Sequence, residues 1–231
     1  MILCLETATS VCSVALAEGE NIIAFRQVNE DFKHAEKLTV FISEVLEEAG
    51  KQLSELDAIA ISSGPGSYTG LRIGVSVAKG LCFALDKPLI SISTLEAMAA
   101  GAIEELKVNA EDVIFCPMID ARRLEAYCAL YDGRLNCIYP PSPIIITEDF
   151  FAEVRKGKKI FYFGDGAEKC KIILSTITEF IFQEKLFPSA KFMAGLAFKK
   201  FSMKQFENLA LFEPVYLKEF QPGVGKNDLK G

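Results

Sequence analysis

The amino-acid sequence contains no long apolar run and no cluster of basic side chains. No apolar stretch approaches the about 20 residues that a membrane-spanning helix requires, and no run of Lys or Arg alternates with aromatic residues. The formal net charge is −6. These features argue against a membrane protein and indicate that the chain alone is poorly suited to bind a nucleic-acid backbone. Any contact with nucleic acid would be weak, local or supplied by a partner.

The seven cysteines form no CxxC motif, and most of them lie in apolar runs such as "ILCLE" and "GLCFAL". The chain begins with "MILCLETATS", a short apolar run without the basic residues that start a signal peptide. We therefore expect reduced, buried thiols in a cytoplasmic protein. The 231 residues, half of them apolar, suffice for one large domain or two small ones.

Histidine is also scarce, since His34 is the only one in the sequence. A helical metal site would carry a second histidine one turn later, where this chain has Leu38. We predict that His34 is a helix cap or a packing residue and that the chain holds no metal. One histidine also leaves no basis for a Ser-His-Asp or Cys-His catalytic set.

Strand and helix patterns occur in the same order in both halves of the chain. The first half contains three strands, then a helix, a strand, a helix, a strand and a helix. In the second half three strands precede a helix in "TEDFFAEVRKG", a strand in "KKIFYFG" and a helix in "GAEKCKIILSTI". A last, longer helix is predicted in "PSAKFMAGLAFKKFSM". The duplicated βββαβα pattern predicts an α/β fold with two similar lobes and a cleft between them.

The predicted lobes are residues 1–105 and a second, smaller lobe at 106–204. "LKVNAEDV" at the boundary is the expected crossover. The segment near 205–231 is expected to complete the first lobe. Its end, "QPGVGKNDLKG", is rich in glycine and polar residues, and we expect it to be mobile.

The stretch "ISSGPGSYTGLRIGV", residues 61–75, joins a predicted strand to a predicted helix. It lacks the Lys-Ser/Thr pair of a Walker loop, and Gly70 comes one residue too late for the GxGxxG dinucleotide fingerprint. Pro65 also removes a backbone N–H that an anion could use. Ser67, Thr69 and the helix start at Gly70 would still accommodate an anion. The pattern alone leaves open a tight turn and an anion-binding loop.

The helix after this loop carries small residues at a regular spacing. Gly70, Gly74 and Ala78 recur every four residues, so they form a ridge that another backbone could approach closely. Arg72 and Lys79 are the only charged residues of the helix. This composition predicts a helix that is buried on more than one side.

Five motifs together resemble one bacterial family. "ETATSVCSVAL", "HAEKL", "GPGSYTGLRIGV", "IDARRLEAY" and "EPVYLK" occur in this order between residues 6 and 218. They are similar to the TsaB (YeaZ) family of accessory subunits in the biosynthesis of threonylcarbamoyladenosine in tRNA. The resemblance implies two actin-like lobes of the RNase H or ASKHA type, in agreement with the duplicated pattern.

The resemblance also implies a subunit without catalytic activity of its own. In this pathway a separate enzyme makes threonylcarbamoyl-adenylate from threonine, bicarbonate and ATP. The paralogue TsaD transfers the threonylcarbamoyl group to an adenosine next to the anticodon. The family implies that the chain pairs with a TsaD-type transferase, that a TsaE-type ATPase joins them, and that tRNA is bound only through the complex. On this interpretation the glycine loop is a sharp turn into an interface helix.

The resemblance assigns loop and cleft positions to this chain. Glu6 stands where actin-like ATPases carry an aspartate that orients metal-bound water, and we interpret it as a vestigial, solvated residue. "GDGAEK" is expected to be a plain turn, because Asp165 would repel phosphate. For "IDARRLEAY", an arginine paired with Asp120 across the cleft and a hairpin with solvated charges both remain open. The loop and cleft positions are Glu6, Thr7, His34, Gly64, Pro65, Gly66, Ser67, Thr69, Arg72, Asp120 and Arg122.

We predict a partner surface on the helices at residues 34–49 and 70–84, with a TsaD-type protein in the complex and a second copy of the chain in its absence. The predicted contact residues are Leu38, Phe41, Ile42, Val45, Gly70, Leu71, Gly74, Val75 and Ala78. We expect no cofactor, and a nucleotide at the complex interface stays open. The alternative functions are a free-standing actin-like kinase or ATPase and a TsaD-related protease. The failed glycine spacing argues against the first and the single histidine against the second.

Overall fold

The computed structural model describes residues 1–30, 33–108, 112–123 and 125–218. Within these residues the strands form two five-stranded sheets. In the first sheet the order is β3-β2-β1-β4-β5, and in the second it is β10-β9-β6-β7-β8. In each sheet an antiparallel three-stranded meander continues into parallel strands. The predicted α/β class with a duplicated strand order is confirmed.

The first sheet and its helices come from the N-terminal half of the chain. The elements are β1 (Ile2–Glu6), β2 (Val11–Glu18), β3 (Asn21–Asn29), α1 (His34–Glu48), β4 (Ala58–Ser62), α2 (Tyr68–Leu85), β5 (Leu89–Ile92) and α3 (Thr94–Leu106). A short 3-10 helix, Leu53–Glu55, lies between α1 and β4. Ser67 and Ser93 precede α2 and α3, and each side chain accepts a hydrogen bond from the first turn of its helix.

The second half contributes the other sheet. Its elements are β6 (Val113–Asp120), β7 (Glu125–Asp132), β8 (Cys137–Ile145), β9 (Lys159–Phe163), α4 (Ala167–Leu174), β10 (Phe180–Phe182), a 3-10 helix (Ala190–Met193) and α5 (Ala194–Ser202). The helix predicted in "TEDFFAEVRKG" is wrong. This segment forms successive turns in which Phe151 has a left-handed φ of 51°, a conformation that does not continue a helix. The strand β10 was not predicted.

The helices separate the two sheets and cover their outer faces. α1 and α2 pack on one face of the first sheet, in a core that includes Leu5, Val14 and Ile59. The opposite face packs against Ala97 of α3 and Ala197 of α5. α3 also contacts the second sheet, where Leu95 and Met98 lie with Phe115 and Phe163. α4 covers the far face of the second sheet.

The C-terminal helix differs from the predicted lobe arrangement. Residues 190–202 were assigned to the second lobe, but Met193 and Ala197 pack against Ile2 and Cys4 of the first sheet. The Ala190 amide also donates a 2.9 Å hydrogen bond to the Ser13 hydroxyl of β2. The small face of α5 allows this close approach to a sheet surface lined by alanines. The division of the chain at residues 105 and 106 stays a prediction.

Two predictions from composition can be compared with the described residues. Six cysteines are buried, as expected, while Cys137 is exposed. None of the helices in the described ranges is long and apolar enough to cross a bilayer. The tail "QPGVGKNDLKG", expected to be mobile, lies outside the described residues.

Candidate functional site

The glycine loop lies directly on the turn between β1 and β2. The Ser67 amide donates a 2.6 Å hydrogen bond to the Ala8 carbonyl oxygen. On the other side of the loop, the Ser63 amide donates to the Ile92 carbonyl oxygen at 2.8 Å. Gly64 and Pro65 are buried between these contacts. The loop therefore covers the β1–β2 turn, and the Ser63 and Ser67 amides are engaged within the fold rather than open to an anion.

The glycines of the loop and of the first turns of α2 allow this close contact within the chain. A Cβ atom at Gly66 would lie 2.2 Å from the Ala8 carbonyl oxygen, and one at Gly70 would lie 2.1 Å from the Thr7 carbonyl oxygen. At Gly74 it would lie 2.2 Å from the Thr7 hydroxyl oxygen. Real side chains do not approach backbone oxygens so closely. Gly70 and Gly74 are thus required by the β1–β2 turn of the same chain, which corrects their prediction as an interface ridge.

Glu6, the last residue of β1, lies beneath this loop and is fully buried. Its Oε1 atom accepts hydrogen bonds from the Ala8 amide at 2.6 Å and from the Ser62 hydroxyl at 2.9 Å. Its Oε2 atom has no hydrogen-bond partner among the described residues. Burial raises the pKa of Glu6 to about 7, against the lowering effect of these hydrogen bonds. The interpretation of Glu6 as a solvated residue is wrong, because the loop closes over it.

The residues predicted to contact a partner face the interior instead. α1 and α2 turn them toward the first sheet, where they form its outer core layer. A buried side chain is not accessible to another protein, so the prediction of these residues as contacts is corrected. All are buried: Leu38, Phe41, Ile42, Val45, Gly70, Leu71, Gly74, Val75 and Ala78.

The outward surface of the same two helices carries other apolar side chains and one exposed serine. We call the residues Val40, Ser43, Ile73, Val77 and Phe83 the outer helix face. Phe83 is 83% exposed and Val40 is 45% exposed, while Ile73 and Val77 are half-buried. α1 and α2 contact each other, so these residues lie on two neighbouring helices. Sequence periodicity did not identify them, because the inward stripe is stronger.

The start of α2 forms an aromatic cluster with the C-terminal segment. The Arg72 guanidinium lies 4.0 Å from the centre of the Tyr68 ring, and its Nε atom donates to the Tyr216 hydroxyl at 3.4 Å. The Tyr68 and Tyr216 rings are 4.7 Å apart. Thr69 is exposed beside them in the first turn. An open depression in the surface is lined by Tyr68, Thr69, Arg72 and Ile73. Tyr216 belongs to the motif "EPVYLK" but was not predicted as a site residue.

The C-terminal segment is held along α2 by polar contacts and by Leu209 and Phe212, which pack against the core of the first sheet. The Val215 amide donates to the Ser63 carbonyl oxygen at 2.8 Å. Lys79 donates to the carbonyl oxygens of Ala210 at 3.3 Å and Phe212 at 3.2 Å. Lys218 forms an ion pair with Glu125 of β7. This segment therefore connects the glycine loop of the first sheet to the second sheet.

The motif "IDARRLEAY" forms the turn between β6 and β7. The Asp120 carboxylate pairs with Lys169 of α4 and accepts a 2.8 Å hydrogen bond from the Arg122 amide. Arg122 and Arg123 have left-handed φ angles of 67° and 53°. The Asp120 amide in turn donates to Asp165 at 3.1 Å, and burial raises the pKa of Asp165. Within the described residues, Asp120 thus forms its ion pair with Lys169 and not with an arginine.

His34 is a packing residue at the first position of α1. It is 7% exposed, and its Nε2 atom lies 3.2 Å from the Val11 carbonyl oxygen. The N-cap position belongs to Lys33. Among the described residues, no group of three or more His, Cys, Asp or Glu side chains is arranged to hold a metal ion.

Comparison with known proteins places these features in a family. The family model "TsaD: tRNA N6-adenosine threonylcarbamoyltransferase" matches residues 30–218. A Haemophilus influenzae protein named "tRNA threonylcarbamoyladenosine biosynthesis protein TsaB" is 42% identical over 54% of this chain and 51% of the relative. The Escherichia coli protein of the same name is 37% identical over 60% of this chain and 58% of the relative. The chain thus aligns with little more than half the length of these two curated relatives.

A solved structure matches nearly the whole length of the chain. "YeaZ from Pseudomonas aeruginosa" has a TM-score of 0.76 and 29% sequence identity, and the match covers 94% of this chain and 99% of that chain.

Proposed function

The chain belongs to the TsaD family, with TsaB (YeaZ) proteins among its relatives, and on this premise we propose that it is a non-catalytic subunit in threonylcarbamoyladenosine biosynthesis. In this role it binds and supports a TsaD-type transferase, which modifies the adenosine next to the anticodon of tRNA. A TsaE-type ATPase joins the same complex in the cytoplasm. The chain contributes a folded surface and no reacting group.

The burial of Glu6 carries the non-catalytic part of this proposal. Its Oε1 atom is engaged by Ala8 and Ser62 of the same chain, and the glycine loop covers it. A general base or metal ligand must come within hydrogen-bond distance of its reactant. A carboxyl in this position does not reach one without movement of the loop. The covered β1–β2 turn likewise offers no open backbone amide at Ser67 for a nucleotide phosphate.

The outer helix face supports the choice of partner. A TsaD-type protein and a second copy of this chain would both share the fold of this chain. Either could therefore pair its own helices with α1 and α2. The exposed Phe83 lies on the same helix as half-buried Ile73 and Val77, and exposed apolar side chains are what association covers. The net charge of −6 favours tRNA binding by the partner rather than by this chain.

Reconstitution with purified components tests the function. The chain, a TsaD-type transferase, a TsaE-type ATPase and an enzyme that makes threonylcarbamoyl-adenylate are combined with unmodified tRNA, ATP and Mg²⁺. Formation of threonylcarbamoyladenosine should require this chain, and size-exclusion chromatography should detect its complex with the transferase. Full modification without the chain, or no complex with the transferase, would contradict the proposal. ATP turnover by the chain alone would favour the kinase or ATPase alternative.

A further inference from the structure

We propose that Glu6 is a proton-controlled latch: in its protonated form it holds the glycine loop and the first turn of α2 on the β1–β2 turn, and its ionisation loosens them. The latch is a property of this chain alone. Its test therefore needs no partner protein.

A short chain of hydrogen bonds links the Glu6 carboxyl to the start of α2. Oε1 accepts from the Ala8 amide at 2.6 Å, and this contact orients the Ala8 peptide. The Ala8 carbonyl oxygen accepts from the Ser67 amide, also at 2.6 Å. The Ser67 side chain then caps α2 by accepting from the Gly70 amide at 3.3 Å. A change at Glu6 is thus transmitted through two peptide groups to the N-terminus of α2.

The second carboxyl oxygen provides the sensitivity to protons. Oε2 is buried and has no hydrogen-bond partner among the described residues, as is true of the Thr7 hydroxyl beside it in the chain. The donors on Oε1 favour the charged form, but burial of a carboxylate whose second oxygen has no donor opposes ionisation more strongly. Since burial raises the pKa of Glu6 to about 7, both protonation states are populated near neutral pH.

The groups around Glu6 do not compensate its charge. Ser62 on β4 is uncharged, and so is Thr7, which follows Glu6 in the chain. Cys12 on β2 interacts electrostatically with Glu6, but burial, aided by Glu6, raises its pKa to about 12 and keeps the thiol neutral. His34 contacts β2 at Val11 and therefore requires a control.

The loop is the element whose opening would admit water to Glu6. β1, β2 and β4 are joined by continuous backbone pairing, and their residues at this end of the sheet are buried. By contrast, Ser67 is exposed and Gly66 is half-buried. Few backbone hydrogen bonds and an exposed surface characterise segments that open locally without global unfolding. Ionisation should therefore displace this loop before it disrupts the sheet.

Amide hydrogen exchange of the full chain and of Glu6→Gln tests the latch. The two proteins are compared at the same pH, so the intrinsic exchange rate cancels. The measured quantity is the ratio of the exchange rate in the natural chain to that in Glu6→Gln. For the Ser67 and Leu71 amides this ratio should be about tenfold higher at pH 8 than at pH 6. Amides of β9 in the second sheet, which exchange through global unfolding, should stay better protected than these two amides at both pH values.

Two controls keep the result decisive. The His34→Asn variant should retain the pH dependence of the natural chain. Glu47→Gln, on the exposed surface of α1, should retain it as well. The proposal is overturned if Glu6→Gln keeps the pH-dependent exchange, if His34→Asn abolishes it, or if the Ser67 and Leu71 amides are as well protected as those of β9 at pH 8. Should Glu6→Gln fail to fold, exchange of the Ser67 amide in the natural chain, corrected for the intrinsic rate, must still rise about tenfold between pH 6 and pH 8 and remain faster than that of β9.

Discussion

The Ser67 amide and the Ala8 carbonyl oxygen are 2.6 Å apart, and this hydrogen bond joins the start of α2 to the β1–β2 turn. It explains why the loop between them is rich in glycine. The backbone of the loop contacts the backbone of the turn, and no side chain fits between the two. The same contact closes the space above Glu6. Five experimental predictions follow from these contacts, from the outer helix face and from the C-terminal segment.

Raising the pH should destabilise the folded chain through Glu6. The pKa of Glu6 is about 7 in the folded state, against an ordinary value of 4.5. The folded state therefore binds this proton more tightly, so the stabilisation is complete below about pH 4.5 and is lost as the pH rises through about 7. The shift corresponds to about 3 kcal/mol. Urea unfolding between pH 4 and pH 8 should show this slope in the natural chain and not in Glu6→Gln. Equal slopes would refute the assignment.

Alanine at Gly66 or Gly70 should reduce folding stability. The added Cβ would lie 2.2 Å from the Ala8 carbonyl oxygen or 2.1 Å from the Thr7 carbonyl oxygen, and the backbone must shift to relieve the clash. We expect a loss of about 1–3 kcal/mol or more in urea unfolding. Gly80→Ala is the matched control, because a Cβ there meets nothing within 4 Å and alanine favours an exposed helix position. That variant should be as stable as the natural chain or slightly more stable.

A charge on the outer helix face should weaken association without unfolding the chain. Phe83→Asp places a carboxylate where the side chain is 83% exposed, so the fold should be retained while dimerisation and transferase binding fall at least about tenfold. Ile172→Asp on α4, where the side chain is 84% exposed, is the matched control and should bind normally. Unchanged association of Phe83→Asp would exclude this face. Val45→Asp is unsuitable for the experiment, since Val45 is fully buried.

Removing the charge of Lys79 should release the C-terminal segment from α2. Lys79→Met deletes two hydrogen bonds, to the carbonyl oxygens of Ala210 and Phe212, and keeps the apolar stem. Charge-assisted hydrogen bonds of this kind contribute about 1.5–3 kcal/mol each. Limited proteolysis should then cleave residues 203–212 about tenfold faster or more. Lys51→Met, which removes only a surface ion pair with Glu55, should not alter the cleavage rate.

The chain alone should not hydrolyse ATP above the rate of a buffer control. Glu6 is engaged within the fold, and the glycine loop covers the β1–β2 turn. Phosphate release should be measured with ATP and Mg²⁺ for the natural chain and for Glu6→Gln. Turnover that the natural chain shows and Glu6→Gln lacks would assign a catalytic role to this carboxyl.

Local sequence patterns determined much of the architecture. Apolar runs and helical stripes predicted both meanders, α1, α2, α3 and α4, because burial of one face depends on residue spacing that the sequence displays. The order of these elements predicted the duplicated α/β fold. Composition also predicted buried thiols, which is correct for six of the seven cysteines. The helix predicted at residues 147–157 is wrong, since a threonine followed by acidic residues is typical of a helix start while the backbone here turns at Phe151.

Only the tertiary structure decided which residues each side chain or glycine contacts. Gly70 and Gly74 have the spacing of an interface ridge, but they meet Thr7, which is more than 60 residues away in the chain. Glu6 has the sequence context of a solvated strand end, and only the fold brings the glycine loop over it. Likewise α5 packs on the first sheet because its small residues match the alanines there. Periodicity reports that a face is apolar or small, whereas the contact that buries it depends on residues distant in sequence.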